Sequence, residues 1–561
     1  MATRDESQRW LFGPGSDLLL GCGLGYALLV AAFLLADAPQ SFASSLGLVA
    51  LVSILTGTPH YGATLLRAYA ERADRRAYAF FTLYATVAVW ALFYAGLYSA
   101  WIGSLLLTLY MNWSPWHYTG QNYGIALMFL RRRGVEVSPT AKRLIYLSFL
   151  LSFLLTLLAF HGASGGGEYA PVQPYGGGAF TPIRLGIPSP GWEIAFAGVA
   201  CADLALLVAA AVLLLRRAAP GDLVPSAVLA LTQMLWFSLP AAARTWGWFG
   251  DDSPFASDRA AAAFFWVATG HSVQYLWITT YYAARSAPFG RRVGYLAKTL
   301  VAGSFIWSAP ALLYRASVEG SALGGIAFDQ DVFVVLAAAV NIHHFLLDGA
   351  IWKLRDGRVA RILIRREASP ALDPGARGQE LARRRPRLAP AIYALGGAAT
   401  LATLLGLAVR QFGLEPALRE ADLVRVQASL RRLQWLRADT ANDYLRIGKV
   451  AERRREPVHA AWSYRKSAQM QPRAAPWLAL ARLSLRGEKP EVAVSALETA
   501  LEHNPNDPNA LFLLGVTRLR LNEPERATPL LERAAALLPG DARVRAGLER
   551  ARRRSAASSP P

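Results

Sequence analysis

Apolar residues fall in long, nearly charge-free blocks up to about residue 409, after which the chain becomes a short-period mixture of Ala, Leu, Arg and Glu. A helix needs about 20 predominantly apolar residues to cross hydrocarbon, and candidate blocks lie at roughly 17–36, 43–63, 78–97, 100–128, 143–161, 194–215, 223–243, 260–282, 294–314, 331–352 and 389–409. The pattern predicts an all-α chain in three parts. Residues 1–410 form a polytopic transmembrane helical bundle of about eleven spans, 411–440 a linker helix, and 441–561 a helical repeat array.

Composition agrees with this division. Across 561 residues, 53% are hydrophobic and 17% charged, too apolar for a soluble chain of this length. The formal charge of +20 invites a nucleic-acid reading. Much of the excess, however, sits in short loops between apolar blocks, where it orients helices, so nucleic acid is set aside as a partner. Basic clusters fall at Arg67-Arg72-Arg75-Arg76, Arg131-Arg132-Arg133, Arg216-Arg217, Arg285-Arg291-Arg292-Lys298 and along Lys353 to Arg387. The alternating loops hold Lys or Arg singly at most. The positive-inside rule then places the N-terminus in the cytoplasm. After an odd number of spans the tail lies outside, which is the periplasm if the membrane is a bacterial inner membrane. The two cysteines, Cys22 and Cys201, both lie in apolar blocks and offer neither a disulfide framework nor a thiolate metal site.

Against this apolar background, five of the eight histidines stand out: His60, His117, His271 and the pair His343–His344. Imidazole inside a bilayer is costly and marks a site by default. All four blocks that carry them run in the same direction and hold them at comparable depth, as a shared site requires. Their settings read TPHYG, WHYTGQNYG, HSVQY and NIHHFLLDG. Gln121 follows His117, Gln274 follows His271 and Asp348 follows His344 at helical spacings that share a face. Gln121, Gln274 and Asn341 are candidates to orient the rings, and Asp348 to orient or to bind. His343 and His344 point ~100° apart, so only one faces the centre fully. Four or five neutral nitrogen donors with one carboxylate and no sulfur suit iron, with zinc or copper as alternatives. Tyr61, Trp116, Tyr118, Tyr123 and Tyr275 are the candidate walls of a substrate pocket. The bland alternatives are histidines acting as polar glue between helices and tryptophans acting as interface anchors.

Pro59-His60-Tyr61-Gly62-Ala63 and His117-Tyr118-Thr119-Gly120 resemble the Pro-His-Gly-Ala and His-Phe-Gly motifs of the Brp/Blh family of bacterial membrane carotene dioxygenases. The resemblance covers these short motifs only. It implies an iron centre held by histidines from several helices and oxidative cleavage of a lipid-soluble substrate. The family's aspartate after the first motif is missing, and Thr64 stands nearby instead.

From 441 onward the chain repeats at a period of roughly 33–34 residues. Gly448, Ala460, Tyr464 and Pro472 align with Trp477, Ala493, Leu497, Ala500 and Pro505, and again with Gly515, Ala527, Leu531, Ala534 and Pro539. This resembles the tetratricopeptide repeat (TPR), which implies an α-solenoid of about three repeats plus a capping helix that binds a protein or peptide in its groove. The leading expectation is therefore a membrane-embedded, metal-dependent oxidoreductase or oxygenase in contact with membrane lipids, with a protein-binding tail. The alternatives are a non-enzymatic membrane scaffold, a transporter and a lipid-sugar glycosyltransferase. The last is disfavoured because its first outer loop, Asp37 to Phe42, is too short to hold a catalytic site.

Overall fold

The computed structural model describes residues 9–35, 46–69, 78–162, 180, 182–248, 260–285, 292–318, 330–352, 357–365, 389–436, 438–470 and 474–558. Much of the loop sequence used above to orient the spans lies outside these ranges. The described residues are helical, with no strand among them and a single isolated bridge between Gly162 and Ile187. They form two compact units, one of helices up to Leu401 and one from Ala402 onward.

In the first unit the main helices are α1 (Leu24–Leu35), α2 (Thr58–Tyr69), α3 (Thr86–Tyr98), α4 (Ala100–Arg132), α5 (Pro139–His161), α6 (Gly191–Leu215), α7 (Pro220–Gln233), α8 (Leu239–Trp246), α9 (Ala260–Arg285), α10 (Arg292–Val318), α11 (Gln330–Ile351), the short α12 (Gly357–Ala360) and α13 (Ala389–Val409). Several are joined through π-helical turns, and the sequence explains two of these within the unit. Ser53–Gly57 runs directly into α2, whose second residue is Pro59, and Met234–Ser238 runs into α8, whose second residue is Pro240. A proline ring strikes the carbonyl four residues back and has no N–H to offer it, so the preceding turn widens instead of breaking.

Six helices among the described residues are long and apolar enough to cross a membrane, or seven if the bent pair Pro14–Gly21 and Leu24–Ala32 counts as one span. The sequence pattern led us to expect about eleven. The shortfall has a physical pattern. Helices α4, α9 and α10 are long enough, but α4 carries Asn112, His117, Gln121 and Asn122, α9 carries His271, Ser272 and Gln274, and α10 carries Lys298 and Arg315. Two of the four helices that bear the cluster histidines, α4 and α9, are thus among those that fail on composition, and a third, α2, is only 12 residues long. The exception, α11, passes through its segment Val334–Ile351, of which 83% is buried, so it is the central helix of the unit. By contrast α6 is peripheral, with 17% of its apolar window buried, and it presents Ile194, Leu204 and Val208 outward.

The closest helix pairing is α2 on α10. A Cβ on Gly62 would lie 1.8 Å from the Thr299 carbonyl oxygen, and one on Gly303 would lie 1.8 Å from the Thr58 carbonyl oxygen. Only glycine permits this approach.

The second unit continues through α14 (Glu415–Glu420) and α15 (Leu423–Trp435) into three antiparallel pairs: α16 (Ala441–Arg453) with α17 (Pro457–Met470), α18 (Ala474–Arg486) with α19 (Pro490–His503), and α20 (Pro508–Arg520) with α21 (Pro524–Leu537). Helix α22 (Ala542–Ser558) closes the array. Small residues sit where paired helices touch: a Cβ on Gly448 would meet the Tyr464 ring at 2.4 Å, and one on Gly515 would meet Leu531 at 2.6 Å. Thr440 and Asp443 cap α16 reciprocally, and Asp507 accepts from the amides of Asn509 and Ala510 at the start of α20. Each pair turns through a left-handed residue at the same repeat position, Arg455, Glu488 and Asn522, with φ of 61°, 54° and 59°. The next amide then reaches back over the helix end in every case: Glu456 to Ala451, Lys489 to Ser484 and Glu523 to Arg518. The repeat is thus punctuated by one recurring helix-terminating motif.

Candidate metal centre

Four helices bring four imidazoles together. His60 comes from α2, His117 from α4, His271 from α9 and His344 from α11. The ring centroids of His60 lie 4.2 Å from those of His344 and 4.8 Å from His271; those of His117 lie 4.9 Å from His271 and 5.1 Å from His344. The two Nε2 atoms of His60 and His344 are 2.6 Å apart. The Asp348 Oδ2 lies 3.4 Å from His344 Nε2 and 3.7 Å from His117 Nε2. Two overlapping donor groups result, His60–His271–His344 and His117–His344–Asp348, and within each every donor atom is within 4.8 Å of the others.

Several nitrogens in this cluster lack the partners that buried polar atoms ordinarily have. His60 Nδ1, His117 Nε2 and both ring nitrogens of His271 are buried and accept or donate no hydrogen bond. His60, His271 and His344 are 2–3% exposed, so water does not satisfy them from outside. Donors on one ion at bonds of ~2.0–2.2 Å stand ~3 Å apart when adjacent and ~4 Å apart when opposite. The Asp348 Oδ2 distances of 3.4 and 3.7 Å to His344 and His117 fall in that range, while the 2.6 Å between the Nε2 atoms of His60 and His344 is shorter. Neutral nitrogens with one carboxylate fit iron, zinc or copper, so the residues present fit a bound metal ion.

A hydrogen-bonded shell holds the donors. Thr64 Oγ1 sits 3.0 Å from His344 Nδ1, donates to Asp348 Oδ1 at 2.8 Å and lies 2.6 Å from the Tyr275 hydroxyl. Tyr275 donates to the same Asp348 oxygen at 2.7 Å and accepts from Trp352 Nε1 at 2.8 Å. Oδ1 of Asp348 is therefore occupied, and Oδ2 is left to face the histidines. His344 likewise has Nδ1 engaged and Nε2 directed to the centre, the division expected of a ligating imidazole.

Other residues singled out from the sequence fall in different places. His343 points away from the cluster: its Nε2 meets Thr86 Oγ1 at 2.9 Å and the Tyr69 hydroxyl at 3.5 Å. Asn341 accepts from the Tyr61 hydroxyl at 2.8 Å, and Tyr61 packs edge-on against His60 and His344. Gln121 donates to Gln274 Oε1 at 3.0 Å and to the His271 carbonyl at 3.2 Å, so this pair braces the backbone of α9 and leaves the imidazole nitrogens alone. Thr64 and Phe345 are site residues that the sequence does not single out, and Tyr61, expected as a pocket aromatic, packs on the histidines instead. Phe345 stacks on His117 at 4.5 Å, and its position directly after His344 on the buried helix is the only cue the sequence holds.

A cavity of about 380 Å³ opens beside His117 and Asp348, walled by Trp113, Trp116, Tyr275, Phe345 and Trp352 and continuing past Gly120, Gly124, Ile125, Met128 and Ile278 to Val359 and Leu363. Of the expected pocket aromatics, Trp116 and Tyr275 line it. Tyr118 instead stacks on His271 at 4.1 Å within a cluster containing Trp236 and Phe264, and Tyr123 packs on Tyr146 and Phe149.

In the repeat array the last turns of α16, α18 and α20 expose Arg453, Arg486 and Arg520 at equivalent repeat positions. Arg486 reaches Glu452 of the preceding pair, while Tyr464 donates to the other side of that carboxylate at 2.6 Å.

The tetratricopeptide-repeat family model matches residues 478–542, within the predicted array. No curated protein matches the chain. Among solved structures, the chain is similar to one in the crystal structure of the APC/C hetero-tetramer Cut9–Hcn1, at 14% identity and a TM-score of 0.25, covering 86% of this chain and 96% of that one. The C-terminal segment is therefore a tetratricopeptide-repeat array, the kind of domain that binds other proteins.

Proposed function

We propose that this chain is an integral membrane oxidoreductase, of the non-haem iron oxygenase kind, acting on a lipid-soluble substrate and recruiting a protein partner through its tetratricopeptide repeats. One observation carries the reading: four imidazoles from four helices converge with a carboxylate, and His117 Nε2 and both ring nitrogens of His271 are buried with no protein partner. The Nε2 atoms of His60 and His344 meet each other across two helices, as polar glue would, but the unpaired nitrogens of His117 and His271 favour a cation. Bound iron would supply redox chemistry and activation of dioxygen. His60, His117, His271, His344 and Asp348 would hold it, Thr64 and Tyr275 would fix the orientation of His344 and Asp348, and the aromatic wall would keep water from the reacting face.

The membrane reading is supported by the outward-facing apolar rows of α6 and of Phe80–Leu97, which no aqueous surface would tolerate at that extent. Eleven spans, with a cytoplasmic N-terminus and the repeat array outside the membrane, remain our topology. The exposed Arg453 and Arg520, on either side of Arg486 and its Glu452 partner, favour an acidic segment as the partner.

The test is metal content by mass spectrometry on detergent-purified protein, wild type beside His117→Ala and His344→Ala. Near-stoichiometric iron lost in both variants is expected. Well-folded wild type that takes up no iron, zinc or copper on reconstitution would end the metalloenzyme reading and leave a membrane scaffold.

A further inference from the structure

The cavity beside the histidine cluster has a shape that the metal reading does not require. Its lining runs along α4 from Trp113 to Met128, and fifteen residues of helix span ~22 Å. A volume of about 380 Å³ lies near the lower end of the ~300–1,000 Å³ usual for small-molecule sites, and drawn out over that length it makes a narrow tube. So small a volume over such a length suits one chain better than two side by side.

Polarity is concentrated towards one end. His117, Gln121, Asp348 and Tyr275 line the cavity there, whereas Ile125, Met128 and Leu363 close the far end with no polar side chain among them. The side of the tube is made by missing side chains. Gly120 and Gly124 on α4 and Gly349 on α11 all line it, and a Cβ built on any of the three meets no atom within 4 Å. The backbone of Gly120 and Gly349 is exposed, and so is the neighbouring Trp116 at 38%. Glycine weakens a helix interior by ~0.5–1 kcal/mol relative to alanine, and no packing neighbour at these three positions requires it. Open space along the tube is what the three glycines provide.

We propose that this cavity binds a single-chain lipid, admitted sideways from the bilayer between α4 and α11 over Gly120, Gly124 and Gly349, with its tail against Ile125 and Met128 and its more polar, reactive portion beside His117 and Asp348. That the bound lipid is the substrate rests on the metalloenzyme reading; that the tube takes one chain does not.

The test uses the full chain in nanodiscs and two photoreactive probes. One is a sixteen-carbon fatty alcohol with a diazirine in its tail, the other a diacyl phosphatidylcholine with a diazirine in one tail. Labelled residues are mapped by mass spectrometry, and metal content is measured on the same samples. The alcohol should label Ile125, Met128 or Ile278, and this labelling should fall roughly tenfold or more in Gly124→Leu, whose side chain occupies the tube. Gly124→Ala, a far smaller intrusion, should keep it. The diacyl probe should label outward-facing residues such as Leu204 only. Equal interior labelling by the diacyl probe, or alcohol labelling that persists in Gly124→Leu with the fold intact, overturns the proposal. Interior labelling of a wild type that holds no metal sustains the lipid site and ends the metal reading. Metal-loaded protein whose interior the alcohol never labels ends the lipid site alone.

Discussion

Replacing Gly303 by alanine tests whether the α2–α10 contact positions the cluster. The new Cβ would sit 1.8 Å from the Thr58 carbonyl oxygen, whereas real Cβ atoms keep at least 3.0 Å, so the helices must part by about 1.2 Å at that point. The obstacle is backbone, so no rotamer change relieves it. Thr58 opens α2 and His60 lies two residues on, so displacement of that turn moves a donor whose bond to a metal tolerates ~0.2 Å. Overpacking of this kind costs ~1–3 kcal/mol of stability, and a misplaced ligand costs ~10–100-fold in metal affinity. Gly198→Ala on α6, where a Cβ meets nothing within 4 Å, is the control and should be neutral or stabilising by up to ~1 kcal/mol. Competition of each purified variant against a chelator of known affinity, with the thermal midpoint followed in parallel, measures both quantities. Gly303→Ala that binds metal as tightly as wild type would refute the claim that this glycine contact places His60.

Four further outcomes follow from the geometry. His343→Ala should retain metal while His344→Ala loses it, because adjacent rings face different partners; equal loss in both, measured by mass spectrometry, would place His343 in the site. Tyr275→Phe strips Asp348 of one hydrogen bond and leaves Trp352 Nε1 without its acceptor, so ~1–3 kcal/mol of stability should go, together with ~10–100-fold in metal affinity by the same chelator assay. Arg455→Gly and Glu488→Gly relieve left-handed backbone at the repeat turns and should each stabilise the array by ~0.5–1 kcal/mol, read as a higher urea midpoint for tail unfolding; destabilisation would show that these side chains contribute more than their strain costs. Thr440→Ala removes the reciprocal cap of α16 and should lower the same midpoint by ~0.5–2 kcal/mol equivalent.

The parts of this protein that the sequence makes legible are those governed by local rules. The repeat period was readable because Gly448 and Gly515 must be small for helix pairs to touch, and that need recurs every turn of the solenoid. The convergence of His60, His117, His271 and His344 was readable only as a coincidence of depth and direction, since four helices must meet for it to matter. That only one of His343 and His344 faces the centre fully follows from the ~100° step between neighbouring helical residues, although the step does not say which. Thr64, Tyr118 and Tyr123 show where reading stops. Each lies on a helix with apolar and polar residues on every side, and the face it presents is set by partners more than 70 residues away on other helices or, for Tyr123, by the neighbouring α5.

The count of spans exposes a more general conflict. A helix that builds a site inside a membrane must carry polar side chains, and those side chains lower the hydropathy by which a span is recognised. Helices α4 and α9 bear His117, Gln121, His271 and Gln274 and fall below the apolar criterion, while α6, which bears none of the site, meets it most strongly. Helix α11 escapes because, within its segment Val334–Ile351, the polar residues lie in one stretch, Asn341 to Asp348, behind an apolar lead of Val, Leu and Ala. On the membrane reading proposed above, hydropathy therefore finds the lipid-facing frame first and the functional interior last. Among the long described helices of the first unit, two that fall short of the apolar requirement, α4 and α9, are ones that carry the histidine cluster.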